Sequence, residues 1–308
     1  KKKNKKVVRY RKPLHINIGV IVFGIILIYL VFNLFFYFTK MPGNLPKKQK
    51  NPDVASKPKM LFIYAVCTFM DILFSASAIF LFIILWPFKR LRFSAISNLL
   101  RFTLRVFFLK FVPKMKIYEF YADKPDFSNA ATGSIYIANH VSWLDPLFML
   151  SMVPRAGIVL KSKYVRHSIA LLVKIFDFIP VSESGIAATS DAFSKSKKIL
   201  GDGKNLIIFP EGKRSYSGRL GDYKKLAFKL SKETGAKIVC SGFYYDRIIY
   251  GKSGNSFCPF ENNIVVFKIF GILDPRDFDD SQSMAFAAYQ KTFRGLSGIK
   301  RNLSQEKS

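Results

Sequence analysis

Ser134-Ile-Tyr-Ile-Ala-Asn-His-Val-Ser-Trp-Leu-Asp145 passes from strand to loop to helix within twelve residues. Ser134 to Ala138 is a short β-branched and aromatic run, the composition of a buried strand. From Trp143 to Met152 the apolar spacing lengthens to that of a helix. The polar groups Asn139, His140, Ser142 and Asp145 fall at the junction, where an open α/β sheet exposes side chains at the ends of its strands.

The same alternation continues along the chain. Strands are expected at Gly157 to Leu160, Phe178 to Val181, Asn205 to Phe209, Lys237 to Phe243 and Asn263 to Ile269. Helical periods lie between them at Tyr164 to Ile175, Ala187 to Leu200 and Asp222 to Thr234, the last closed by Gly235 as a C-terminal cap. Alternation of this kind predicts an α/β fold, a mixed sheet with flanking helices, over residues 113–302. No internal repeat is found, and residues 303–308 read as a frayed tail.

The chain of 308 residues is half hydrophobic, with 49 Lys and Arg against 20 Asp and Glu, a net charge of +29. Such an excess points to a polyanionic partner, whether nucleic acid, an anionic membrane surface or a phosphorylated substrate. Long apolar runs and a positive mean hydropathy favour the membrane, and no nucleic-acid reading motif is found. Cys67, Cys240 and Cys258 are too few and too scattered for a disulfide framework or a zinc site.

Ahead of the sheet the chain reads as membrane-associated. Ile16 to Thr39 carries no charge over 24 residues, more than the ~20 that span the hydrocarbon. Eight positive charges in Lys1 to Lys12 predict a cytoplasmic start to this anchor, residues 1–40. A Lys- and Pro-rich linker, 41–59, follows. Met60 to Phe88 is a second apolar stretch broken by Asp71, read either as a crossing or as a re-entrant segment. Leu91 to Val112 then spaces Ser94, Asn98, Arg101 and Arg105 at a helical period among Phe93, Ile96, Leu100, Phe107, Phe108 and Phe111, which suggests a basic interfacial helix closing the segment 60–112.

Two constellations carry chemistry. In the first, His140 can take a proton from a hydroxyl near neutral pH, and Asp145, about one helical turn on, can fold back to fix its tautomer. Of the other histidines, His15 abuts the first apolar run and His167 sits in a basic helix, which leaves His140 the best-placed base. On spacing alone the same pair also serves as a structural hydrogen bond or helix cap. In the second, the strand Leu206-Ile-Ile-Phe209 runs into Pro210-Glu-Gly-Lys-Arg-Ser215. There Lys213 and Arg214 can grip a phosphate and Gly212 lets the backbone approach; a solvated turn with a surface ion pair is the alternative. No Gly-x-Ser-x-Gly elbow is present, which argues against an α/β-hydrolase lipase.

Together, about 70 residues apart and behind a membrane-directed N-terminus, these blocks resemble the PlsC-like family of glycerolipid acyltransferases, which includes lysophosphatidate acyltransferases. The resemblance covers Met60 to Ile269. It implies His140 as general base, Asp145 as the group that orients it, and Asn139 and Ser142 as support. It also implies an acceptor-phosphate site at Glu211, Gly212 and Arg214, with Lys161 in Ile158-Val-Leu-Lys161 as a further substrate contact. Lys213 replaces the family's usual Thr, Ser182 and Glu183 stand where an Asp-Arg pair is common, and Cys240 stands at an expected proline.

The implied reaction is acyl transfer from acyl-CoA or acyl carrier protein to a lysophospholipid hydroxyl at the membrane, without metal or other cofactor and without nucleic acid. The catalytic domain is expected on the cytoplasmic side. Another acceptor, such as glycerol-3-phosphate or a lyso-aminolipid, and a non-catalytic lipid-binding protein are the alternatives. Residues 1–40 resemble the anchor of bacterial membrane-fusion secretion adaptors and are expected to be an added segment, with Met41 marking an older start.

Overall fold

Period-two alternation of apolar side chains builds the centre of the protein. Along Ile135-Tyr-Ile-Ala138, Ile135 and Ile137 enter one apolar layer, and Tyr136 and Ala138 enter the other. Leu206 and Ile208 against Ile207, and Ile238 and Cys240 against Val239, divide in the same way. Strands buried on both faces must be covered by helices on both.

The structure is a computed structural model that describes residues 69, 73–74, 76–106, 116–119, 133–142, 144–162, 178–181, 186–215, 219–245 and 264–305. Its strands are β1 (Lys116–Glu119), β2 (Ile135–Ile137), β3 (Ala156–Lys161), β4 (Ile179–Val181), β5 (Asn205–Ile208), β6 (Ile238–Tyr245) and β7 (Ile264–Leu273). They form one seven-stranded sheet in the order β1-β7-β6-β2-β5-β3-β4. All neighbours run parallel except β6 and β7, which pair antiparallel from Ile238↔Leu273 to Tyr245↔Val265, so the sheet is mixed.

The helices are α1 (Lys89–Val106), α2 (Asp145–Met152), α3 (Ile186–Gly201), α4 (Leu226–Thr234) and α5 (Ser281–Gln305). One layer joins Ile96 of α1 and Phe148 and Met149 of α2 to Tyr136, Ile207 and Val239 of the sheet. The other joins Ala192 and Ile199 of α3, Phe228 and Leu230 of α4, and Met284 and Ala288 of α5 to Ile137, Leu206 and Ile238.

This topology decides where a site can form. After β2 the chain leaves toward β3 through α2 on the first face. After β5 it leaves in the opposite direction, toward β6, through α4 on the second face. Adjacent parallel strands whose connections leave over opposite faces of the sheet have a crevice between their C-terminal ends.

Several expectations change in the structure. Strand β1 and helix α5 have no counterpart in the sequence reading. Leu303, expected at the start of a frayed tail, is buried on the last helix with Ile299, against Val266 of β7. Arg101, expected among the polar positions of a basic interfacial helix, donates from Nε to Ser151 O (3.4 Å) and from Nη2 to Met152 O (3.3 Å), holding α1 against the C-terminal end of α2. Helical residues 76–84 precede a turn at 85–87, where Arg92 donates to Trp86 O (2.9 Å) and lies 4.3 Å from the centre of the Phe82 ring.

Among the described residues no helix is long and apolar enough to cross a membrane. The expected anchor at Ile16 to Thr39, the linker, Asp71, the stretch Phe107 to Val112, the helix at Tyr164 to Ile175, and Ser182 and Glu183 lie outside them.

Candidate active site

The crevice between the ends of β2 and β5 receives both sequence blocks. His140 follows β2, and its main chain is held on two sides. Its N–H donates to Glu211 Oε1 (2.9 Å), and its carbonyl accepts from Ser215 N (2.7 Å). The imidazole stacks on Phe209, the residue just past β5, with ring centres 4.4 Å apart. Asn139 fixes the preceding position by pairing like a strand residue with β6, its Nδ2 donating to Phe243 O (3.0 Å) and its Oδ1 accepting from Phe243 N (2.7 Å). The His140 side chain keeps 18% of its surface exposed, so a reactant can reach it.

Asp145 opens α2 and is wholly buried. A carboxylate there is favoured by the unpaired N–H groups and dipole of a helix start. Its Oδ2 accepts from Val141 N (2.7 Å), Ser142 N (2.7 Å) and His140 Nδ1 (3.0 Å). Its Oδ1 accepts from the Tyr245 hydroxyl (2.5 Å). Because an ionised carboxylate only accepts, these contacts place the imidazole proton on Nδ1 and leave the Nε2 lone pair for an incoming proton. Ser142 completes the loop by accepting from Leu144 N through its Oγ (3.1 Å).

The second block folds as a tight turn. Gly212 N donates to Phe209 O (3.0 Å), and Lys224 N donates to Pro210 O (2.8 Å). Gly212 has φ +66°, left-handed backbone that suits glycine, and a Cβ there would lie 2.9 Å from both Cε and Nζ of Lys224. Glu211, which the resemblance implies as part of the acceptor-phosphate site, turns inward. It is buried, with Oε1 on His140 N and Oε2 on Gly221 N (2.9 Å). Burial pushes its carboxyl up to about 7 against the opposing pull of these two N–H donors. Gly221 is required for that approach, since a Cβ would meet Oε2 at 2.8 Å.

Lys213 is exposed and Arg214 half-buried on the same turn. Lys161 ends β3, whose register Ile158↔Ile207 brings it to the same edge of the sheet as the turn after β5. This edge can therefore offer a base with its proton acceptor outward, beside a basic turn suited to an anionic group. Sequence reasoning missed Tyr245, Gly221 and Lys224. Tyr245 was detectable only as a polar tip on an otherwise apolar strand. Among the described residues no cluster of His, Cys, Asp or Glu could hold a metal ion.

Residues 120–243 match the family model described as Acyltransferase. A chloroplastic 1-acyl-sn-glycerol-3-phosphate acyltransferase of Arabidopsis thaliana is 28% identical over 138 residues, which are 43% of this chain and 39% of the plant protein. The 1-acyl-sn-glycerol-3-phosphate acyltransferase of Borreliella burgdorferi is 28% identical over 124 residues, 38% of this chain and 50% of that protein. The chain thus spans about two fifths to one half of the length of these curated relatives. Among solved structures, the 1-acyl-sn-glycerophosphate acyltransferase PlsC of Thermotoga maritima superposes with a TM-score of 0.57 at 17% identity, covering 79% of this chain and 95% of that one. At that identity the likeness establishes the fold.

Proposed function

We propose that this chain, a member of the PlsC-like acyltransferase family through residues 120–243, transfers a fatty acyl group from acyl-CoA or acyl carrier protein to the free hydroxyl of a lysophospholipid. The acceptor that fits best is lysophosphatidate, giving phosphatidate in phospholipid biosynthesis. One observation carries this reading: Glu211 ties the loop of the His140–Asp145 pair to the basic turn, which is what a base beside a phosphate-binding turn requires.

In the proposed mechanism His140 Nε2 removes the proton from the acceptor hydroxyl as that oxygen attacks the thioester carbonyl. The C–O bond forms, the C–S bond breaks, and the imidazolium returns its proton to the departing thiolate. Asp145 stabilises the imidazolium between these steps. General-base assistance of this kind contributes ~10² to 10⁴ in rate, and positioning supplies much of the rest. Lys213 and Arg214, with Lys161 along the same edge, hold the acceptor phosphate, while Glu211 holds the His140 backbone. No metal or organic cofactor enters the reading.

The reaction takes place at a membrane, on its cytoplasmic side. Support comes from the exposed apolar side chains Phe80, Ile83, Ile84, Trp86, Phe88 and Leu91, with Arg90 and Arg92 among them. Apolar and aromatic groups with interspersed arginines match the boundary between acyl chains and anionic headgroups. The eight positive charges of Lys1 to Lys12 support the cytoplasmic orientation.

The test is transfer of labelled palmitate from its thioester to lysophosphatidate in isolated membranes, comparing the wild type with His140→Ala. Product from the wild type alone is expected, with membrane association and folding unchanged in the variant. Equal product from both would remove His140 as the base, and no product from either would redirect the search to other acceptors.

A further inference from the structure

Asp145 is held more completely than a tautomer-fixing carboxylate requires. Two backbone N–H groups and the imidazole already occupy Oδ2. The remaining oxygen receives a hydroxyl from the far end of β6, a residue with no part in the mechanism above. Tyr245 lies in the apolar layer under the site, its ring beside Phe243 with centres 6.3 Å apart. Burial and the neighbouring Asp145 charge push its phenol well above the ordinary range, so the hydroxyl keeps its proton and acts as a donor.

A hydrogen bond to Oδ1 draws negative charge away from Oδ2, the oxygen that faces the imidazole. The more strongly Tyr245 donates, the less Asp145 favours the protonated imidazole. We propose that Tyr245 is a positioning residue that fixes the Asp145 carboxylate and sets how strongly it holds the His140 proton. This rests on the reading of His140 as the base.

Among the described residues, other groups around the pair are few. Glu211, from the turn after β5, touches the His140 N–H, and Lys213 lies beyond it. Ser142, from the loop itself, faces Tyr245. On α1, Arg101 is committed to the opposite end of α2.

The experiment uses the full chain in membranes and records pH–rate profiles for the wild type, Tyr245→Phe, Asp145→Asn and the double variant. In parallel, the carbethoxylation rate of His140 is followed by mass spectrometry without substrate. In Tyr245→Phe the acidic limb of both profiles should move up by about one pH unit. The plateau kcat should fall while the acceptor KM is kept. On the Asp145→Asn background the same substitution should shift nothing, because Tyr245 acts through the carboxylate.

3-Fluorotyrosine at position 245 keeps the volume and donates more strongly, so it should move the limb down. It carries the test alone if Tyr245→Phe does not fold. A limb that persists in Glu211→Gln assigns it to the His140–Asp145 pair. A Tyr245→Phe loss that is equal at every pH, or that is the same on both backgrounds, would overturn the proposal in favour of simple packing. A shift in carbethoxylation without acyl transfer by the wild type would support the role of Tyr245 and sink the lysophosphatidate reading. Normal transfer with unmoved limbs would do the reverse.

Discussion

Asparagine at position 145 removes a charge and almost nothing else. Its amide oxygen can stay on the Val141 and Ser142 N–H groups and on His140 Nδ1, where the carboxylate now accepts at 2.7, 2.7 and 3.0 Å. Its NH₂ then faces the Tyr245 hydroxyl, which can rotate to accept. The fold should therefore survive, with a thermal midpoint within a few degrees of wild type. What disappears is the attraction between a carboxylate and the imidazolium that the proposed mechanism forms. For charges about 4 Å apart at an effective dielectric of about 20, that is about 4 kcal/mol. Each 1.4 kcal/mol or so is tenfold, so the ceiling is roughly 10³ in rate. We expect kcat to fall by about 10² to 10³, since the retained N–H···O bond keeps part of the benefit. The assay is palmitoyl transfer to lysophosphatidate beside thermal unfolding of the same preparation. A variant that folds normally and turns over within about threefold of wild type would refute the reasoning, because the calculated charge effect is far larger than that.

Two further outcomes follow from the site and the surface. The Glu211 carboxyl is pushed up to about 7 in the folded protein from an ordinary 4.5, so the folded state binds its proton more tightly than the unfolded chain. Its contribution to stability is thus fully present below about 4.5 and is lost as pH rises through about 7, a change of order 3 kcal/mol that Glu211→Gln should flatten in denaturant unfolding between pH 4 and 8. Replacing exposed Trp86 and Phe88 together by Ser should weaken binding to anionic vesicles by about tenfold or more, measured by sedimentation, with the unfolding midpoint unchanged.

The parts of the site that could be read from the sequence are local ones. His140 and Asp145 are five residues apart, and their contact needs only a loop and the first turn of a helix. The Phe209–Ser215 turn announces itself through Pro210, Gly212 and two cations after an apolar run. The inward turn of Glu211 was not legible for the opposite reason. A carboxylate in a Gly-Lys-Arg turn looks solvent-facing until a backbone donor 71 positions earlier in the chain is brought beneath it.

Strand β1 was missed because a four-residue edge strand, Lys-Ile-Tyr-Glu, offers too little alternation to register. On α5 the buried positions Met284, Ala288, Thr292, Ile299 and Leu303 include a small residue, Ala288, and a polar one, Thr292, which mutes a helical period that burial makes plain.

By itself, then, the sequence determined most of the alternating elements, the pairing of His140 with Asp145, and the basic turn, because each depends on residues within one or two turns of chain. The tertiary structure decided the antiparallel partner of β6, the crevice between connections on opposite faces, the inward turn of Glu211, and the hydroxyl of Tyr245 on a carboxylate 100 residues away. Those depend on strand order and register, and local periodicity carries no information about which strands become neighbours.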